Sequence, residues 1–253
     1  MRMKKFIYLF RLDKPLQMPY NVFVMKNELT IRPVAYIRSD FKEKFGIPRQ
    51  SGRAPALRAE IVFEPEFRTP EALREIEGFS HLWLIFDFSE AHREGWSATV
   101  RPPRLGGNKR VGVFASRSPF RPNPLGLSCV RLLAVERRET EGDVLIVSGA
   151  DLLDGTPIFD VKPYLPLADR VEDAVGGYSE AGEGHRLSVI AEEALLQKLP
   201  PEKREGLLEC LAEDPRPSYQ NNPKRVYGMR FGDHEIKFTV SDATLYVIAV
   251  ENT

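Results

Sequence analysis

Histidine and cysteine are scarce in this 253-residue chain. Cys129 and Cys210 stand far apart with no metal or redox spacing, so they read as two small buried apolar groups of a reducing, cytoplasmic compartment. His81, His92, His185 and His234 are scattered, and a metal site is not expected. No apolar run is long enough to cross a membrane. The N-terminal FIYLF is too short for a signal peptide and no small-residue cleavage site follows it. Residues 1–29 are therefore expected to be an extension outside the main fold, with Met25 a plausible alternative start. No G-x-S-x-G elbow, no P-loop and no strand-to-helix G-x-G-x-x-G is present, so the hydrolase, nucleotide-cradle and Rossmann signatures are missing.

One further absence points to what is there. Between Glu94 and Glu136 no acidic residue occurs, while Arg101, Arg104, Lys109, Arg110, Arg117, Arg121 and Arg131 all fall inside. Formal net charge is zero, so this is charge segregation, which suits a protein meeting polyanion on one face. Prolines 102, 103, 119, 122 and 124 alternate with glycines 106, 107, 112 and 126. Proline fixes φ and glycine permits φ > 0, so the stretch reads as stiff loops around a short strand, Arg110 to Ala115, that present arginines to an anion. A solvated, proline-stiffened surface loop is the plainer reading of the same residues.

The rest reads as strands first. IRPVAYIR, AEIVFEP (59–65), HLWLIFDF (81–88), SCVRLLAVE (128–136) and DVLIVSGA (143–150) are strand-like, and the third is apolar enough to be buried on both faces or to line a closed sheet. Thr69-Pro70-Glu71 signals a short helix. With no long crossover helix before residue 166, a mainly β fold follows, an antiparallel barrel or sandwich over 30–166. Residues 167–185 read as a linker. In RLSVIAEEALLQKL, Leu187, Ile190, Leu195 and Leu199 match a helical face, a second helix follows Pro200-Pro201, and three strands then form a meander. A small α+β domain is expected over 186–253.

Four loops sit at predicted strand ends and could meet at one mouth of a closed sheet: Pro48 to Gly52, Phe88 to Glu90, Arg117 to Pro124, and Gly149 to Thr156. GIPRQSG, EGFSHLWLIFDF, the whole of TVRPPRLGGNKRVGVFASRSPFRPNPLGLS, DLLDGTPIFDVKPYLP and AEDPRPSY resemble, in order, the TrmO or TsaA-like family, the tRNA N6-threonylcarbamoyladenosine methyltransferases. The resemblance runs from about Ile31 to the end and leaves residues 1–29 uncovered. It implies a single-sheet antiparallel β-barrel, a homodimer, S-adenosylmethionine as methyl donor, and a tRNA anticodon stem-loop carrying threonylcarbamoyladenosine at position 37 as substrate.

Carried over by motif, the donor site involves Gln50, Ser51, Gly52, Phe88, Ser89, Arg117, Leu127, Gly149, Ala150, Asp151 and Leu152. Many relatives carry histidine where this chain has Ser89, so that part would fall to Glu90 or a backbone group. Asp151 suits the donor's ammonium, and an arginine or backbone amides suit its carboxylate. In-line transfer to a weakly nucleophilic nitrogen makes a general base attractive, with Asp154 and Asp160 as candidates and no choice between them. RNA contacts are expected from Arg49, Arg101, Arg104, Lys109, Arg110 and Arg121. Arg216 and Tyr219, on a proline-stiffened connector, are expected to touch RNA or to serve as a strut. A non-catalytic RNA-binding module, or a nucleotide hydrolase using RLGGNKR as a phosphate cradle, are the rival readings.

Overall fold

A computed structural model describes residues 30–102, 109–180, 186–217 and 222–253. From Arg32 to Thr253 the chain forms one compact unit. Its strands are β1 (Ala35–Arg38), β2 (Arg58–Phe63), β3 (His81–Asp87), β4 (Thr99–Val100), β5 (Val111–Gly112), β6 (Leu125–Arg138), β7 (Gly142–Ser148), β8 (Pro157–Pro163), β9 (Ser188–Ile190), β10 (Tyr227–Phe231), β11 (His234–Ser241) and β12 (Thr244–Asn252). The helices are α1 (Pro166–Asp169), α2 (Glu193–Leu196) and α3 (Pro201–Ala212).

Six strands pair antiparallel in the cyclic order β1-β2-β7-β6-β3-β8, and β8 returns to β1 through Ala35 opposite Ile158. Alternation decides which side chains turn inward. In β1 Ala35 and Ile37 are buried while Tyr36 and Arg38 face out. In β3 Leu82, Leu84 and Phe86 are buried between half-exposed His81, Trp83 and Ile85, so this strand lines the interior with one face only. β6 bends at a bulge between Leu132 and Ala134 and so pairs with β3 along its first half and β7 along its second.

The register sends the loop after β1, the stretch after β3 and the β7–β8 connection to the same end of this closed sheet, because Arg38 lies opposite Glu60, Asp87 opposite Leu125, and Ser148 opposite Arg58. On the outward side of these strands Arg138 makes a bidentate bond to Glu60 (2.8 and 2.7 Å) and also bonds Glu136 and Glu141. Arg38 bonds Glu141 as well, and these arginines, Arg38 first, hold the Glu141 carboxyl down to about 2.

The C-terminal part is a four-stranded sheet in the order β10-β11-β12-β9 packed with α3. Its core is not its own. Phe41, Ala54 and Leu57, from the loop between β1 and β2, are buried in the same cluster as Leu207, Leu211, Phe231 and Phe238. α3 carries Gly206 at the contact, where a Cβ would lie 3.1 Å from the Leu57 side chain and 3.2 Å from its backbone. A mid-helix glycine costs about 0.5–1 kcal/mol relative to alanine, and here it permits close approach of helix and loop.

Several local expectations need correcting. The helix expected across 186–199 is strand β9 followed by the single turn α2: Val189 and its neighbours pair parallel with β12, and Ile190 faces solvent instead of joining one apolar helix face. The helix expected after Thr69 is reduced to 3-10 turns at Pro70–Leu73 and Ile76–Gly78. Thr69 gives its hydroxyl to Glu71 (2.5 Å) instead of capping, and Glu75 at φ 68 breaks the helical path. The strand expected from Arg110 to Ala115 is only β5, after which Val113 turns inward in a 3-10 turn. Within the expected linker, Asp169 at the end of α1 accepts from Trp83 Nε1 (3.0 Å) and the Leu165 amide (2.8 Å). Residues 1–29, with the expected extension, and 181–185 lie outside the described residues.

Candidate active site

At the end of the sheet where the three loops meet, two glycine turns lie back to back. Gly52 (φ +75) donates its amide to the Gly149 carbonyl (2.8 Å), and Gly149 (φ +75) donates to Leu57 O (3.0 Å). A Cβ at Gly149 would stand 3.2 Å from Gly52 Cα, so both the left-handed backbone and the contact call for glycine. This pairing brings Gln50 and Ser51 of one loop beside Ala150 and Asp151 of the other.

Asp151 is the centre of the arrangement. Burial pushes its carboxyl above the ordinary aspartate range, opposed by the Ser128 hydroxyl, its own and the Ser51 backbone, and the charge of Arg117. Ser128 Oγ donates to Asp151 Oδ1 at 2.5 Å, and the Cys129 amide donates to Ser51 Oγ at 3.2 Å. Arg117 Nη1 donates to Gln50 Oε1 (2.6 Å), which ties the basic stretch to the first glycine turn. A desolvated carboxylate held by neutral donors, with an arginine one side chain away, suits a ligand that carries both an ammonium and a carboxylate.

Phe88 is placed by packing. Gly126 lies opposite Phe86, and a Cβ there would fall 2.1 Å from the Phe86 ring. Phe86 meets Phe88 edge-on at 5.1 Å, and the Phe88 amide donates to Pro124 O (2.8 Å). Leu127, between Gly126 and Ser128, is exposed. Ser89 opens an exposed 3-10 turn whose Glu90 pairs with Lys44 (3.2 Å). Three residues on, His92 Nε2 lies 2.7 Å from Asp87 Oδ1.

Gln50, Ser51, Gly52, Arg117, Gly149 and Asp151 thus come together, with Phe88 and Leu127 along β3 and β6 at the same end. The side chains of Ala150 and Leu152 are buried in the sheet's core, which leaves only their backbone to a ligand. Asp154 and Asp160 are elsewhere engaged: Asp154 accepts from the Ser39 amide (2.9 Å) and Lys42 (2.7 Å), and Asp160 pairs with Lys162 (2.6 Å). Ser128 is the residue that sequence reading missed; its signal was a serine at an inward position of an alternating strand.

Of the residues expected to face RNA, Arg49, Arg101, Lys109 and Arg110 are exposed. Arg110 bonds Thr99 Oγ1 (2.7 Å), and half-buried Arg121 donates to Ser116 O (3.3 Å). Arg216 is 9% exposed and bidentate to Asp214 (2.8 and 2.9 Å), while its carbonyl accepts from Arg49 (3.3 Å): its place is that of a strut. Arg104, Tyr219 and most of RLGGNKR lie outside the described residues. Among the described residues no group of three or more His, Cys, Asp or Glu side chains could hold a metal ion, and no helix is long and apolar enough to cross a membrane.

The family described as the tRNA-methyltransferase O N-terminal domain matches residues 36–170, and the TrmO C-terminal domain matches 186–253. The chain belongs to the TrmO family. It is 41% identical over 226 residues to the Escherichia coli K12 protein named tRNA (adenine(37)-N6)-methyltransferase, covering 86% of this chain and 96% of that one. A Pseudomonas aeruginosa relative, whose name places it among S-adenosylmethionine-dependent methyltransferases, is 44% identical over 214 residues, 82% of this chain and 90% of its own. The crystal structure of TrmO from Pseudomonas aeruginosa superposes with a TM-score of 0.72 at 36% identity, covering 89% of this chain and all of that one.

Proposed function

We propose that this chain transfers a methyl group from S-adenosylmethionine to N6 of adenosine 37 in tRNA, the adenosine being the threonylcarbamoylated form. The observation that carries this reading is the half-buried, desolvated carboxylate of Asp151 between two glycine turns and one arginine. When bound, S-adenosylmethionine supplies a methyl group made electrophilic by a sulfonium. Asp151, oriented by Ser128, would take the ammonium of its amino-acid tail, and Arg117, held beside the first glycine turn by Gln50, would take the carboxylate. Phe88 and Leu127 offer apolar surface to its adenine.

Both candidate bases, Asp154 and Asp160, already hold lysines, so these residues contribute alignment and exclusion of water more than proton transfer. A carboxylate and an arginine side by side match a zwitterionic tail, whereas an anionic phosphate alone would be repelled by the first unless a cation stood between them. The relatives that match most of this chain are also named as methyltransferases. That favours the methyltransferase over both rivals.

The closed sheet serves in this reading as the family's β-barrel over 30–166, with 167–185 as linker and 186–253 as an α+β domain. The enzyme works as a cytoplasmic homodimer. Support for a dimer comes from the outer face of β6, where Leu125 and Leu127 stand exposed side by side and Leu133 is exposed farther along. Mass spectrometry of anticodon-loop nucleosides, in cells with and without the gene, tests the activity. Methylated threonylcarbamoyladenosine should disappear with the gene; its persistence at the same level overturns the assignment.

A further inference from the structure

Between the turn after β3 and the proline-rich run before β6 lies a hollow of about 240 Å3 that contains none of the proposed donor residues. His92, Trp96, Phe120, Arg121 and Pro124 line it. That is below the roughly 300–1,000 Å3 of pockets that take drug-sized ligands, and it suits one ring system with an appendage. Its rim is unusually aromatic for a solvent-facing surface: Trp96 is 55% exposed, Phe114 73% and Phe120 42%. Trp96 and Phe114 stand 6.2 Å apart, and the Arg93 guanidinium lies over the Phe120 ring at 4.3 Å. His92 is fixed by Asp87, which leaves its other ring nitrogen free of that bond, and Arg121 is held by Ser116 O through one of its donors.

We propose that this hollow receives the acceptor nucleoside: the purine stacks on Trp96 or Phe120, and the carboxylate of its appended amino acid pairs with Arg93 and Arg121. Aromatic rings in solvent cost little only when a partner covers them, and an unpaired base brings a π-face to the ring whatever its sequence. The appendage distinguishes this nucleoside from plain adenosine by one negative charge, and the arginines supply the matching charge with planar, two-pronged donors. Nearby Glu90 does not oppose this, because Lys44 takes both its carbonyl (3.1 Å) and its carboxylate (3.2 Å). The hollow also shares structure with the donor loops: Phe88 bonds Pro124, and Arg121 bonds the residue before Arg117. The two ligands would then meet across a single short run of backbone.

This inference rests on the methyltransferase reading, and its test separates the two. Full-length wild type and the Trp96→Ala, Trp96→Tyr, Phe120→Ala and Arg93→Ala variants are titrated with S-adenosylmethionine, assayed on tRNA with and without threonylcarbamoyl, and sized by light scattering. Donor affinity should be unchanged in all. Trp96→Ala or Phe120→Ala should raise the KM for tRNA roughly five- to a hundredfold, the span of losing one base stack, and Trp96→Tyr should restore it. Arg93→Ala should lower the preference for threonylcarbamoylated over plain tRNA. Wild-type KM and preference in every variant overturn the proposal alone, as does loss of the dimer with methylation per dimer unchanged, which would assign these rings to a subunit interface. A wild type that methylates neither tRNA overturns the proposal together with the reading beneath it.

Discussion

The loop after β1 and the stretch between β3 and β6 close the same end of the sheet, yet they are held in opposite ways. The first is nailed to the C-terminal sheet: Phe41, Ala54 and Leu57 are buried in its core, Lys203 bonds Asp40 (2.6 Å), and Glu209 accepts the Ala56 amide (2.7 Å). The second has few such anchors beyond Val113 and Arg117, and it leaves Trp96, Phe114 and Phe120 in solvent. The contrast separates two tasks. A small donor has to be met by preformed geometry, since ordering a loop at the moment of binding spends affinity. A tRNA needs reach and exposed charge. The C-terminal part therefore braces the loop that carries Gln50, Ser51 and Gly52.

The sharpest way to break that contrast is Phe41→Ala. A side chain 1% exposed and edge-on to Phe231 at 5.9 Å should cost about 3–5 kcal/mol when truncated, and donor affinity should fall with it although Phe41 touches no donor residue. Thermal melts and calorimetry read both. Unchanged donor affinity in the folded variant would show that the buttress is not needed. Next comes Gly126→Ala, whose Cβ meets the Phe86 ring; overpacking of this kind costs about 1–3 kcal/mol and should displace Phe88. Donor binding should weaken while tRNA binding holds.

The exposed side predicts a smaller and different response. Lys109→Ala and Arg110→Ala should leave the melt untouched and each reduce the slope of log tRNA affinity against log salt by roughly 0.7–0.9. An unchanged slope in the double variant takes this loop off the RNA path. The smallest effect is on the outward side of the sheet, in the Arg38–Glu60–Arg138–Glu141 network. Because Glu141 is depressed to about 2, its contribution is present above the ordinary glutamate range near 4.3 and is lost as pH falls toward 2. Glu141→Gln should flatten the acid limb of stability and leave both affinities alone.

Much of the loop framework of the candidate site was legible in the sequence because it is punctuated. Gly52, Gly149 and the Asp154-Gly155 turn mark the loops, and the alternation of β1 marks the face they cap. β3 is apolar from Leu82 to Phe86, and only its place in the sheet shows that one face turns inward. Ser128 was not legible: it interrupts an apolar strand, and only its register beside Asp151 gives it a purpose. The docking of Leu57 against Gly206 was equally hidden, since nothing local in either segment names a partner nearly 150 residues away. The 186–199 segment misled for a related reason. Its apolar spacing fits a helix, and the choice of strand is made by β12, which lies more than 50 residues on. For Arg216 the sequence left RNA contact and strut side by side, because nothing in a proline-flanked arginine says that Asp214, two residues earlier, turns it inward.

The central claim is that Asp151 is kept half-buried and desolvated as a carboxylate for the donor's cation. Its raised pKa means that its ionised form is disfavoured in the folded protein, so its effect on stability becomes adverse as pH rises from about 3.9 through the folded value. Asp151→Asn removes that cost and also the partner for the ammonium. Titrating S-adenosylmethionine into wild type and Asp151→Asn near pH 7, with a melt of each, tests this most directly. The predicted result is donor affinity at least about tenfold weaker, the loss of one charge-assisted contact, in a variant that melts no lower than wild type. Equal donor affinity in the two proteins would contradict the account.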